Sequence, residues 1–116
     1  LAWLDQDQPL DPTPKDVFRL RSYYSQWLSE EAYLELLQKQ IEKRQIKLEF
    51  LSHSLQVSYD GVDPRTLTGA ARGDYLVLLG AVMRERTYMD WLLRCRELVS
   101  GWANQREGGK LQTKPE

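Results

Sequence analysis

The chain of 116 residues contains one cysteine, Cys95, and one histidine, His53. A single cysteine excludes an intrachain disulfide, and no stretch has the pattern of a secretory signal, so we expect an intracellular, reducing compartment, cytoplasmic or nuclear. A Cys–His nucleophile pair would need these two side chains to be adjacent in space. The helical arrangement predicted below keeps them apart, and Cys95 falls on an apolar line where a structural role is expected.

Long apolar runs are also missing, since the longest covers only residues 75–79. A membrane-spanning helix needs about 20 such residues, so no membrane partner is expected. The formal net charge is −1, from 16 basic and 17 acidic residues. No overall field therefore draws the chain towards nucleic acid, which stays an alternative partner that is not favoured.

The sequence has neither a phosphate-binding loop nor the spacing of zinc ligands. Glu31 and Glu35 share a helix face, as in the helical nucleotide pyrophosphohydrolases that hold Mg²⁺, but Glu85 and Asp90 are five residues apart and diverge. We therefore predict no catalytic residue, no cofactor and no metal site. A divergent metal hydrolase that uses Glu31 and Glu35 is kept as a third hypothesis.

What the sequence does contain is an apolar residue at every seventh position of a long stretch: Leu20, Trp27, Leu34, Ile41, Leu48 and Leu55. This period is typical of a helix that packs along one seam against another helix. Thr13 as a cap and Pro14 in the first turn favour a start there. The pattern predicts one helix over residues 13–55, with a kink allowed near Ser29. A three-helix bundle that folds back at Ser29 is the alternative.

A second helix is predicted over residues 70–105, because apolar residues recur there at alternating steps of three and four. A connection at residues 56–69, with the turn-forming pair Asp60-Gly61, joins the two helices. The predicted fold class is all-α, as a long antiparallel helical hairpin.

The hairpin domain is predicted to span residues 13–107, after an extended acidic arm at 1–12 and before a flexible tail at 108–116. Its wide apolar faces need more cover than two helices give each other. We therefore expect self-association as a homodimer or higher oligomer, most simply a dimeric four-helix bundle or coiled-coil-like assembly. The predicted interface consists of the apolar residues on these faces: Leu20, Tyr24, Trp27, Leu34, Ile41, Leu48, Tyr75, Leu78, Val82, Met89, Leu92, Val99 and Trp102.

These patterns favour a non-enzymatic helical oligomerisation and protein–protein interaction subunit, structural or regulatory, whose partners are itself and another protein. The alternative is a nucleic-acid-associated packaging or regulatory factor that uses a basic patch on the first helix. The residues predicted to contact such a partner are Lys39, Lys43, Arg44, Lys47 and, as an exposed aromatic on the second helix, Trp91. Glu85 interrupts the apolar stripe of the second helix, and Lys39, Lys43 or Arg44 is its predicted ion-pair partner.

Overall fold

The computed structural model describes residues 16–112, with side chains described for residues 16–106. In this range it contains three α-helices and no strand: α1 (Val17–Tyr23), α2 (Glu30–Ser58) and α3 (Ala70–Gln112), with 3₁₀ turns at Ser25–Trp27 and Pro64–Thr66. The predicted all-α class is confirmed. The predicted acidic arm at residues 1–12, the cap Thr13 and the last residues of the predicted tail lie outside the described residues.

The α-helix is interrupted between Tyr24 and Ser29, which corrects the prediction of one helix over residues 13–55. Leu28 and Ser29 are extended, and the Ser29 hydroxyl then accepts a hydrogen bond from the N–H of Ala32 at 3.1 Å. A serine cap of this kind satisfies a free N–H group at a helix start. The seven-residue spacing runs through the break without a shift, so the spacing could not reveal it.

α1 folds back onto the longer helices through one buried side chain, Phe18. Its ring stacks on Tyr33 of α2 at a centroid distance of 6.1 Å and meets Trp91 of α3 edge to face at 6.0 Å. The Tyr33 hydroxyl donates a hydrogen bond to the Ser22 hydroxyl at 2.6 Å. These contacts explain the break, because an unbroken helix would carry Phe18 away from both rings.

α2 and α3 run in opposite directions, since Glu30 pairs with Arg106 at one end and Tyr59 packs on Tyr75 at the other. The described part is elongated, with extents of 75 × 35 × 19 Å. The main buried cluster lies where α1 joins the pair and contains Phe18, Tyr33, Leu37, Ile41, Met89, Leu92 and Val99. A thin shape limits how many side chains can be buried.

The residues of the predicted seven-residue repeat are not, for the most part, the ones that pack in the core. Leu20 and Trp27 are 55% and 79% exposed, and Ile41 is the one member of the line that is buried. The buried residues of α2 are instead four apart: Tyr33, Leu37 and Ile41. α2 therefore packs through a short helical face beneath α1, and the regular spacing of the seam arises from two separate segments.

The connection and the end of the second helix differ modestly from prediction. α2 continues to Ser58, and Gly61 and Gly69 take positive φ angles of 70° and 61° in the connection. Glycine adopts this region without the steric penalty that other residues meet. α3 starts at the predicted residue 70 but runs to Gln112, past the predicted end at 105 and into the predicted tail. Two adjacent glycines lower helix propensity by only about 1 kcal/mol each, which is not enough by itself to stop a helix.

Candidate functional site

A carboxylate lies buried between the two long helices. Glu85 of α3 is 7% exposed, and its Oε1 atom accepts from Arg44 Nη1 at 2.9 Å and from Lys47 Nζ at 3.1 Å. Within the described residues, its Oε2 atom has no hydrogen-bond partner. Of the three cations predicted as partners of Glu85, which were Lys39, Lys43 and Arg44, the one that binds it is Arg44, and Lys47 joins the pair. Because a buried carboxylate without cations is strongly unfavourable, this pair fixes how α2 and α3 face each other.

The same arginine connects the ion pair to the start of α1. Arg44 lies over the Tyr88 ring with its guanidinium carbon 4.0 Å from the ring centroid. The Tyr88 hydroxyl donates to Asp16 Oδ2 at 2.7 Å, across 72 positions of sequence. Asp16 Oδ1 accepts from the N–H groups of Phe18 and Arg19 and so caps α1. We call Asp16, Arg44, Lys47, Glu85 and Tyr88 the charged cluster.

The charged cluster shifts the protonation of two of its members. Burial raises the pKa of Asp16, but hydrogen bonds from Tyr88 and from the backbone of Arg19 and Phe18 outweigh it, so the pKa lies below its usual range. Burial, followed by the hydrogen bond to Asp16, raises the pKa of Tyr88 to about 12. At neutral pH the contact therefore joins a neutral tyrosine donor to a carboxylate acceptor, a charge-assisted hydrogen bond.

An open groove of about 560 Å³ lies next to this cluster, between α1 and α3. Its walls are Arg19 from α1 and Met83, Arg84, Thr87, Tyr88 and Trp91 from α3. Tyr88 and Trp91 pack edge to face with centroids 5.3 Å apart. The volume is in the range of small-molecule sites, and the lining combines aromatic rings with cations.

The groove arginines are not engaged by the ion pairs found among the described side chains, which involve neither Arg19 nor Arg84. Arg84 extends along α3 towards Gly80, where a Cβ atom would come within 3.2 Å of its Nη1 atom. A side chain at position 80 would therefore require this guanidinium to move by a few tenths of an ångström. Gly80 leaves the space that lets Arg84 lie along the groove wall.

The predicted interface residues divide into two groups. Ile41, Val82, Met89, Leu92 and Val99 are buried within the chain itself, and Leu34, Leu48, Tyr75 and Leu78 are half-buried. Leu20, Tyr24, Trp27 and Trp102 are exposed. Only the exposed group is free to contact a partner without opening the fold.

The predicted basic patch also divides. Arg44 and Lys47 bind Glu85, while Lys39 and Lys43 are exposed. Trp91 is half-buried and packs against Phe18 and Tyr88, so it is not the exposed aromatic that was predicted. The prediction considered only the two long helices, whereas α1 covers this side of α3.

Sequence reasoning did not single out Asp16, Phe18 or Arg19 as site residues. Their role depends on the fold-back of α1, for which the local signal was the Ser29 cap. His53 is exposed and Cys95 is half-buried beside the core, where burial raises the pKa of its thiol. Among residues 16–106, no group of three or more His, Cys, Asp or Glu is placed to hold a metal ion.

Comparison with known proteins shows the family to which the chain belongs. The family model described as virulence activator alpha C-term matches residues 14–100. The match covers well over half of the chain, and the chain belongs to this family. Over 90 residues it is 37% identical to the negative transcriptional regulator PadR of Bacillus subtilis strain 168, covering 78% of this chain and 50% of PadR.

Solved structures of the same relative agree with the observed fold. Bacillus subtilis PadR in complex with operator DNA matches with a TM-score of 0.77 at 33% identity, over 84% of this chain and 54% of that one. PadR in complex with p-coumaric acid matches with a TM-score of 0.76 at 32% identity, over 84% and 59%. The chain thus spans about half the length of the relatives it matches.

These comparisons correct the favoured interpretation. The relative is a transcriptional regulator with a structure on operator DNA, so the description of this chain as a coiled-coil protein–protein interaction subunit is wrong. The nucleic-acid-associated regulatory alternative is the better supported one. The prediction that the chain is not an enzyme is confirmed by the same comparisons. Separately, none of the helices in the described part combines the length and the apolar character needed to cross a bilayer.

Proposed function

We propose that this chain is the helical module of a transcriptional regulator that binds operator DNA. The observation that carries the proposal is the 37% identity to the negative transcriptional regulator PadR, together with the TM-score of 0.77 to PadR on operator DNA. Such a regulator acts in the compartment that holds the DNA. A nucleic acid thus becomes the principal partner.

We further propose that this module positions the regulator and does not supply its main DNA surface. Its net charge is −1, and two of the four cations of the predicted basic patch, Arg44 and Lys47, are held by Glu85. DNA affinity depends on cations that neutralise phosphates. Lys39 and Lys43 are exposed on the same helix and are the members of the patch left for an auxiliary phosphate contact.

The finer form of the proposal is that two copies of the helical hairpin pair into a four-helix assembly. Ile46, Phe50 and Val57 are exposed and follow one line on the side of α2 that faces away from α3. These three side chains are 63–69% exposed, so nothing in the described part of this copy covers the line, and a second copy can cover it. A two-fold dimer also suits the paired half-sites that many repressors recognise.

The test is selection of genomic fragments by the natural protein that carries this chain, followed by sequencing and by titration at several salt concentrations. We expect a small set of promoter-proximal sites, with affinity that falls as salt rises. Sedimentation velocity on the same preparation is expected to show a dimer. Retention of no fragment above random background would refute the proposed DNA function, and a monomer at micromolar concentration would refute the pairing.

A response to a small molecule is the second candidate function. PadR has been crystallised with p-coumaric acid, and this chain has an aromatic groove of about 560 Å³ between α1 and α3. The residues of the groove determine which chemical class of ligand it suits.

A further inference from the structure

We propose that a second pocket, between the α1–α2 connection and the C-terminal part of α3, binds a free α-amino acid with an apolar side chain. This pocket has a volume of about 320 Å³ and shares no lining residue with the groove described above. One of its walls is the segment at residues 25–29, where the chain leaves α1 and enters α2. We call it the hinge pocket.

The hinge pocket has an apolar floor and an apolar rim. Tyr33 of α2 and Val99 of α3 form the floor and belong to the buried core, while Leu28 and Trp102 form the rim and are exposed. Its volume lies near the lower end of the range for small-molecule sites, about 300–1,000 Å³. The space therefore suits a ligand of the size of one amino acid, whose side chain would lie against Tyr33 and Val99.

Two opposite charges meet in the same pocket. Glu30 at the start of α2 and Arg106 of α3 both line it, and Arg106 Nη2 donates to Glu30 Oε2 at 2.6 Å. The arginine side chain is 55% exposed, and an ion pair in contact with solvent contributes little to stability. Opening this pair to admit a ligand therefore costs little.

A zwitterion has the charges that such a pair requires. Its ammonium group can donate to the Glu30 carboxylate, and its carboxylate can accept two parallel hydrogen bonds from the Arg106 guanidinium. One ion pair within the protein is thus replaced by two pairs with the ligand. A ligand that carries only one charge leaves either Glu30 or Arg106 without a partner, so the pocket favours the zwitterion over a simple acid or a simple amine.

The first experiment is an NMR titration of the natural protein that carries this chain, followed at the indole N–H signal of Trp102, which a Trp102→Phe variant assigns. The ligands are L-leucine, L-leucinamide, which lacks the carboxylate, and N-acetyl-L-leucine, which lacks the ammonium group. We expect L-leucine to bind at least about tenfold more tightly than either analogue, because each analogue loses one charge-assisted interaction. Equal affinity for the three ligands, or no binding of L-leucine at millimolar concentration, would overturn the proposal.

The second experiment assigns each charge of the ligand to its partner. Glu30→Gln should weaken L-leucine binding by about tenfold and leave N-acetyl-L-leucine within about twofold, since that ligand has no ammonium group. Arg106→Gln should weaken L-leucine binding by about tenfold and leave L-leucinamide within about twofold. The matched control is Glu31→Gln, which removes an exposed carboxylate outside the pocket in the same helical turn and should leave the affinity for L-leucine within about twofold.

This crossed pattern separates direct binding from a structural role of the ion pair. If Glu30→Gln weakens all three ligands equally in a variant that a circular dichroism melt shows to be folded, Glu30 does not contact the ammonium group and the proposal fails.

The last comparison tests the apolar wall with glycine, which is also a zwitterion but has no side chain. Glycine should bind at least about tenfold more weakly than L-leucine, because it buries no apolar surface against Tyr33 and Val99. Equal affinity for glycine and L-leucine would refute the choice of an apolar side chain. None of these measurements uses DNA, so the result for the hinge pocket and the result for the proposed regulator are independent.

Discussion

The two halves of the α2–α3 pair are built differently. Beside α1, three helices meet, and Leu37 and Leu92 are completely buried. Towards the connection only two helices remain, and Leu48, Leu51 and Leu55 are half-buried. The difference shows that two helices enclose less apolar surface by themselves than three helices do, since Val82 is buried on the connection side of Glu85 but these three leucines are not. A short third helix with one buried aromatic residue, Phe18, extends the enclosed core.

The largest expected effect tests this contrast in the core. Leu92→Ala should lower the free energy of unfolding by roughly 2–5 kcal/mol, because it leaves a cavity in a fully enclosed site. Leu55→Ala removes the same atoms from the connection half and should cost roughly half as much or less, since solvent already reaches that side chain. Urea denaturation of both variants measures the difference. Equal losses would mean that the two halves are equally well packed.

The next effect concerns the buried carboxylate between the halves. Glu85→Gln should lower the free energy of unfolding by about 1–3 kcal/mol, because Arg44 and Lys47 are left close together without their anion. The matched control is Glu97→Gln, which breaks the exposed pair with Arg94 and should change stability by less than about 0.5 kcal/mol. If Glu85→Gln and Glu97→Gln lower the free energy of unfolding equally, the buried ion pair contributes no more to stability than the exposed one.

A smaller effect of about 1 kcal/mol is expected for Tyr88→Phe, which removes the hydrogen bond that holds the start of α1. The contribution of this hydrogen bond to the free energy of unfolding depends on the protonation of both partners. The folded-state pKa of Asp16 is lowered, so this contribution is present at neutral pH and is lost as the pH falls through the folded-state pKa. The pKa of Tyr88 is raised from 10.0 to about 12, so the contribution is complete below pH 10 and is lost between these values.

The measurement is the difference in unfolding free energy between wild type and Tyr88→Phe across the pH range. It should be constant near neutrality and shrink in acid and in strong base. A difference that does not change with pH would show that the hydroxyl acts through packing and not through Asp16.

The smallest effect on the folded chain is expected on the outer face of the connection half. Phe50 is 69% exposed, so Phe50→Ser should change the stability of one copy by less than about 0.5 kcal/mol. If the second copy covers this face, the same change should raise the dimer dissociation constant by about tenfold or more. Gln56→Ser is the control on the same helix and should leave the dimer unchanged. Sedimentation equilibrium of the two variants tests whether the face that contains Phe50 carries the pairing.

The sequence was sufficient for features set by local rules. The start of α3 at residue 70 and the pairing of Glu85 with a cation of the first helix were both predicted. A helical period places Val82, Met89 and Leu92 on one face, and a charge in an apolar stripe requires a partner. Such inferences need only one helix and its immediate neighbour.

The same local rules did not predict that α1 folds back onto α2 and α3. Leu20 and Trp27 extend the seven-residue line by spacing alone, and a periodic pattern does not record whether the backbone between its members is helical. The contacts that fix α1 join Asp16 to Tyr88 and Phe18 to Trp91 across more than 70 positions. No local pattern predicts pairs at that separation, so the groove that depends on them could not be predicted either.

The Arg44–Glu85 pair has a consequence for how a change at one end of the molecule reaches the other. If α3 slid along α2 by one helical turn, about 5.4 Å, the carboxylate would leave both of its cations while still enclosed. Such sliding is strongly disfavoured compared with tilting or rotating the two helices together. We therefore expect a movement that begins beside α1 to rotate α2 and α3 together as a rigid body. The displacement would be larger at the connection than beside α1, and the register of α2 against α3 would not change.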